Sequence, residues 1–258
     1  MNKYLDIIDK FIDKMNYKNN VHFLGVYFYG SCLTGFNNSS SDIDLHIIFD
    51  DNNLKHIYRG VCYIDGIKIE YFEKCISDVY LSVKNDIKEC NWSWYSMIGK
   101  SYIVCDKNNE LKKLQEYTLN IYKNIKGIDE EDIYEYISII NNRMLKLKKC
   151  LEEDSPNFYS LFYITVEKIR RFYHSIHGFP KINTSKIYRV YKDDDYRKSY
   201  FPFDFVSLEF KSIYLSIIES KDMDKKKLFG LLERLYMYVL DGRKLDKEFR
   251  IHIKSRNE

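Results

Sequence analysis

Apolar positions in the first third of the chain fall into two rhythms. Over residues 4–15, Tyr4, Ile7, Ile8, Phe11, Ile12 and Met15 recur at intervals of three and four, with charges between them. That spacing makes one face of a helix apolar and predicts a helix docked on a core. Residues 21–29 are almost continuously apolar and end at Gly30 and Ser31, which predicts a buried strand and then a small polar loop. Residues 43–49 predict a second strand. Residues 58–64 and 67–72 flank Asp65 and Gly66, a pair favoured in two-residue hairpins because both positions take positive φ. Helical spacing follows over residues 76–89 and 109–122.

Beyond Gly127 the strand signals stop. Residues 129–151, 159–177, 203–218 and 225–240 all carry helical apolar spacing. Asp129 is expected to cap the first of these helices, and Gly178, ahead of Pro180, to end the second. The pattern predicts an α+β chain, a small mixed sheet with helices followed by an all-helical region. The boundary falls near residues 124–130, dividing the chain into residues 1–126 and 127–258.

Composition changes this picture little. The 258 residues suffice for a real core, and 45% hydrophobic against 31% charged residues is ordinary for a soluble globular protein. The 24 Tyr and 16 Phe against 3 Pro fit the codon bias of an AT-rich genome better than a stacking surface for aromatic substrates. A net charge of +3 speaks neither for nor against nucleic acid, and neither nucleic acid nor membrane is an expected partner. Cys32, Cys62, Cys75, Cys90, Cys105 and Cys150 contain no C-x-x-C pair, so neither a zinc site nor a disulfide framework is expected. The charged opening MNKYLDIIDK is unlike a secretory signal, and no apolar run approaches membrane-spanning length. A cytoplasmic location is the expectation.

The candidate chemistry lies at Gly30 and Ser31, ten polar-loop residues, then Asp42, Ile43 and Asp44. Alternation along a strand points residues 42 and 44 to one side. Two carboxylates so placed repel each other unless a cation joins them, and Mg²⁺ also takes phosphate oxygens as ligands. Gly30 lets the backbone approach a phosphate, and Ser31 offers a hydroxyl and an amide. A third acid, Glu70, interrupts the apolar alternation of the hairpin's second strand; it is either a metal ligand or the base for an attacking hydroxyl. Glu73 is next in line for that role. Lys68 reads as a surface neighbour of Glu70. His174 and His177 read as partly exposed residues near a helix end, and Trp92 and Trp94 as core, rim or acceptor-site residues.

Tyr29, Gly30 and Ser31 followed by Ser41, Asp42, Ile43, Asp44 and Leu45 resemble the active-site signature of the DNA polymerase β-like nucleotidyltransferase superfamily. The resemblance implies that Asp42 and Asp44 hold catalytic Mg²⁺ and that Glu70 is the third acid. It also implies that Gly30, Ser31 and Ser41 belong to the nucleotide site. Arg170, Tyr173, Gly178 and Lys186 are similar to the helical domain of the streptomycin and spectinomycin adenylyltransferases, although Lys186 comes a few residues late. That resemblance implies a phosphate-binding role for Lys186 and a nucleotide contact for Tyr214. One departure stands out. The acids that precede the Arg in those enzymes and recognise the cationic antibiotic have no counterpart over residues 157–163.

The leading expectation is an adenylyltransferase that moves AMP from ATP to a hydroxyl of a small molecule, an aminoglycoside in the resistance-enzyme sense, with Mg²⁺ as cofactor. The second is transfer to a macromolecule, as in a toxin–antitoxin pair, or synthesis of a signalling nucleotide. The third is an inactive nucleotide-binding homologue, against which the three intact acids count.

Overall fold

Five strands build one mixed sheet in the order β3-β4-β2-β1-β5. They are β1 (Phe23–Tyr29), β2 (Ile43–Phe49), β3 (Arg59–Ile64), β4 (Ile67–Cys75) and β5 (Tyr102–Asp106). Only the β2–β4 pair is parallel; β1–β2, β1–β5 and β3–β4 are antiparallel. The computed structural model describes residues 2–52, 58–88, 91–201, 206–220 and 224–241. The described chain forms two compact units, residues 1–125 with 198–202, and residues 126–197 with 203–258.

In the first unit the strands follow the sequence pattern closely. β1 begins two residues later than expected because Val21 lies exposed in a turn. Asp65 and Gly66 both have positive φ and close the β3–β4 hairpin as expected, with Ile64 opposite Ile67. β4 runs past residue 72 to Cys75 and passes directly into a helix that begins at Ile76. Helix α1 (Asn2–Lys14) lays Ile7, Ile8, Phe11 and Ile12 on one sheet face, against Val26, Phe28, Ile43, Leu45, Ile47 and Ile69. Each such side chain buried contributes about 1.5–3 kcal/mol, so this face fixes the strand register. The unit also contains a four-residue α2 (Ser31–Thr34), α3 (Ile76–Lys88), a π-helical turn at Tyr95–Gly99 and α4 (Glu110–Tyr122). The short α2 replaces part of the expected loop. β5 was not apparent from the sequence. Glu89 and Cys90 lie outside the described residues.

Among the described residues the second unit holds helices and no strand: α5 (Glu130–Glu152), α6 (Phe158–Ile176), α7 (Thr184–Lys192), α8 (Asp194–Tyr200), α9 (Leu208–Glu219) and α10 (Lys225–Leu240). The last residues of α8 group with the first unit. Asp129 occupies the N-cap position of α5, but its side chain makes no capping hydrogen bond. Gly178, at φ 63°, ends α6 as expected. There the Gly178 amide donates to Ser175 O (3.3 Å) and the Phe179 amide to His174 O (2.8 Å), the paired bonds of a Schellman motif. Helix α9 starts at Leu208; residue 203, where the pattern begins, lies outside the described residues. Among the described residues no helix is long and apolar enough to cross a membrane. The five described cysteines are free thiols; Cys90 lies outside the described residues.

Candidate active site

Because side chains alternate along a strand, the face opposite α1 carries Asp44 and His46 from β2, with Lys68, Glu70 and Phe72 from β4. Asp42 immediately precedes β2 on the same side. The parallel register sets Asp44 beside Glu70, and ligand oxygens of Asp42, Asp44 and Glu70 all lie within 4.8 Å of one another. The sequence thus brings together the three acids it singled out. All three are partly exposed, so a solute can reach their oxygens.

Gly30 explains how Asp44 fits. It has φ 84° and ψ −164°, a region that only glycine enters freely. A Cβ at this position would lie 2.2 Å from Asp44 Oδ2. Gly30 therefore serves the carboxylate before it serves any phosphate. Ser31 is partly exposed at the start of α2. The Ser41 hydroxyl is used inside the loop, where it accepts from the Asn38 amide (2.9 Å) and contacts Asn38 Oδ1 (3.3 Å). Cys32 Sγ donates to Asp42 O (3.1 Å), tying α2 to the entry of β2.

Among the described residues, Lys68 and Arg59 face the acids. Lys68 Nζ lies 2.5 Å from Glu70 Oε1 and 3.1 Å from Asp42 Oδ2. Arg59 reaches Glu70 Oε2 at 3.4 Å. Hydrogen bonding to Glu70 and Asp42 raises the Lys68 pKa to about 12. Lys68 is thus part of the acid cluster, which its place beside Glu70 in the sequence gave no reason to expect. Glu73 lies on the other face, buried, where it accepts from the Tyr17 hydroxyl; its odd position in β4 removes it as an alternative base.

Behind the acids is an aromatic box. His46 is buried, stacked by Tyr29 (4.8 Å between centroids) and Trp94 (5.2 Å), with Phe72 tilted beside it. Among the described residues neither ring nitrogen has a hydrogen-bond partner. Burial, with a further push from Lys74, lowers its pKa to about 3, so the ring is neutral. Burial also raises the Tyr29 hydroxyl, helped by Asp44 and Glu70. Trp92 is core, packed on Tyr95 and Tyr122.

In the helical unit, Lys186 is exposed in the first turn of α7, which Asn183 caps through the Ser185 amide (3.0 Å). Tyr214 is fully buried, and its hydroxyl donates to Glu167 Oε1 at 2.6 Å. The structure therefore gives Tyr214 a core position rather than a nucleotide-facing one. Arg170 is fully buried as well, bonding Glu167 Oε2 (2.8 Å) and Ile182 O (3.0 Å). Burial pushes the Glu167 pKa up, but the bonds from Arg170, Tyr214 and Thr184 outweigh it and hold the carboxyl low. His174 is buried, not partly exposed. Its Nδ1 faces Pro180 O, which can only accept, so Nδ1 carries the proton and Nε2 accepts from the Tyr191 hydroxyl (2.6 Å). Glu167, Arg170 and His174 together pin residues 180–184 and the start of α7. Glu167 escaped notice because a single acid in an amphipathic helix carries no signal of its own. His177, with Tyr173, Ser207, Tyr238 and Asp241, lines a cavity of about 580 Å³.

Among solved structures, a nucleotidyltransferase-like protein from Exiguobacterium sibiricum 255-15 is similar at 10% identity and a TM-score of 0.47, covering 92% of this chain and 74% of that one. No curated protein matches the chain. The profile of the nucleotidyltransferase domain matches residues 8–146, more than half of the 258 residues. This span contains Gly30, Ser31, all three acids and the whole sheet, and the chain belongs to the nucleotidyltransferase domain family.

Proposed function

We propose that the protein transfers AMP from ATP to an acceptor hydroxyl in a Mg²⁺-dependent reaction. The observation that carries this reading is the convergence of Asp42, Asp44 and Glu70 within 4.8 Å on one sheet face. Three carboxylates so close, with hard oxygen donors, fit a divalent cation. Asp42, Asp44 and Glu70 would hold that cation, which would supply charge neutralisation to the phosphates, with one Glu70 oxygen left for proton transfer. In this reading Glu70 accepts the proton of the acceptor hydroxyl as it attacks the α-phosphorus, and pyrophosphate leaves. Gly30 and Ser31 present backbone and hydroxyl to the phosphates, and Ser41 shapes the loop between them and Asp42. Lys186 binds phosphate oxygens. It comes from α7 of the helical region that begins after residue 126.

An aminoglycoside acceptor has less support. Acids just upstream of residues 157–163 are already paired, Asp154 with Lys225 and Glu153 with Lys149 at 3.6 Å. A macromolecular acceptor is favoured by a different observation. On edge strand β3, Val61 stands opposite Glu70 and Tyr63 opposite Lys68, and they are 51% and 62% exposed. Arg59 adjoins them on the same strand face. Exposed apolar side chains with a cation beside the acids suit a protein surface better than a polycationic drug.

The test is incubation of the full chain with α-labelled ATP, Mg²⁺ and two sets of acceptors, aminocyclitols and cell-extract proteins, with Asp44→Asn as control. Label on either set, lost in Asp44→Asn, supports the reading and selects the acceptor class. ATP binding without transfer to any acceptor or to pyrophosphate exchange would leave the inactive homologue.

A further inference from the structure

The ammonium of Lys68 occupies a position that a metal ion would also seek. It contacts Glu70 Oε1 at 2.5 Å and Asp42 Oδ2 at 3.1 Å, oxygens of two residues in a cluster no wider than 4.8 Å. Lys68 is two residues before Glu70 on β4, so alternation puts both on the acid face, while β2 brings Asp42 across the parallel pairing. The side chain is 37% exposed and the two acids 28% and 21%. Arg59 is a weaker candidate for the same role: it is 66% exposed and reaches one oxygen at 3.4 Å.

We propose that Lys68 is a built-in cation that holds the carboxylates together until a divalent cation displaces it, and that it thereby sets the metal affinity of the site. This rests on the reading of Asp42, Asp44 and Glu70 as the metal site. Three carboxylates at this spacing repel one another unless a positive charge is shared between them. Lys68 supplies that charge, so the cluster is assembled before metal arrives. A divalent cation bonded to the same Glu70 and Asp42 oxygens cannot share them with an ammonium at hydrogen-bonding distance. Binding therefore breaks two charge-assisted bonds. A lysine suits such an exchange, because its flexible four-carbon stem lets the ammonium withdraw while β4 stays in register. Metal binding without nucleotide is then weak by construction.

The experiment titrates Mn²⁺ into the full chain without nucleotide and follows free Mn²⁺ by electron paramagnetic resonance. Wild type, Lys68→Met, Lys68→Gln, Lys68→Arg and Asp44→Asn are compared, and each is melted in EDTA and in Mn²⁺. Both neutral variants should bind Mn²⁺ about tenfold or more tightly than wild type, and Lys68→Arg should stay near wild type. The neutral variants should also melt lower in EDTA and gain more on adding Mn²⁺. Two neutral side chains guard against one that simply packs badly. Unchanged or weaker Mn²⁺ binding in both, with binding lost in Asp44→Asn, would overturn the role of Lys68 alone. Equal Mn²⁺ binding in wild type and Asp44→Asn would overturn the metal site and this inference with it.

Discussion

Gly30→Ala should damage stability and activity by separable amounts. The backbone there, at φ 84° and ψ −164°, costs any other residue about 1–3 kcal/mol. The added methyl would stand 2.2 Å from Asp44 Oδ2, and real Cβ contacts are not seen under 3.0 Å. The carboxylate must therefore retreat from 2.2 Å to at least 3.0 Å, a shift of about 0.8 Å. Misplacing a reacting group by about 1 Å costs on the order of 10²-fold in rate. Urea denaturation measures the first loss, and initial rates with α-labelled ATP measure the second. A double-mutant cycle separates them. With Asp44→Ala the carboxylate is gone and the closest Asp44 atom left is its Cβ, at 3.3 Å. In that background Gly30→Ala should cost only the backbone strain. Coupling below about 0.5 kcal/mol, or near-wild-type turnover in Gly30→Ala, would refute this account of the loop.

Glu70→Gln should reduce turnover by about 10²–10⁴-fold with little change in ATP affinity; normal turnover across pH would remove Glu70 as the base. Lys186→Ala should weaken ATP by about 1.5–3 kcal/mol and AMP by less, measured by isothermal titration, and equal ATP affinities would make it a surface residue only. His46 and His174 both have folded pKa values lowered to about 3 by burial, against about 6.5 unfolded. Each therefore takes up its proton on unfolding. The stability they give is complete above pH 6.5 and is lost as pH falls toward 3. His46→Phe should flatten the fall in urea stability by about 1.4 kcal/mol per pH unit between pH 6 and 4, and parallel curves would show that His46 does not titrate as buried.

The acids were legible because a strand's period of two makes an interruption visible. Asp44 and Glu70 break apolar runs that have no other reason to carry charge, and Asp42 stands two residues before Asp44, on the same side of the strand. The hairpin was legible from Asp65 and Gly66 for a similar reason, since few residues accept positive φ twice in succession. Lys68 was not legible. Beside Glu70 in sequence it looks like half of a solvated pair, and only the parallel β2–β4 pairing brings Asp42 to its other side. That pairing is a long-range event with no local signature. Helix α7 was missed because its burial rests on only Ile187, Val190 and Tyr191 in a nine-residue polar segment. β5 is a five-residue edge strand with one neighbour, β1. Tyr214 was misplaced because a tyrosine in an apolar helix face reads the same whether its hydroxyl meets a ligand or, as here, Glu167.

The alternation that shares β4 between two faces also limits how this gene can change length. Ile69 and Tyr71 belong with the apolar face, Lys68 and Glu70 with the acidic one. Deleting one codon upstream of Ile69 within the strand would exchange the faces, sending the carboxylate and ammonium toward Phe11 and bringing isoleucine to the acids. A change of one residue is thus as severe as loss of the strand. The Asp65–Gly66 tip lies beyond the last ladder pair, Ile64 with Ile67, so extra residues there lengthen a loop without turning any side chain over. Insertions in relatives of this domain should therefore collect at that tip and be absent from β4.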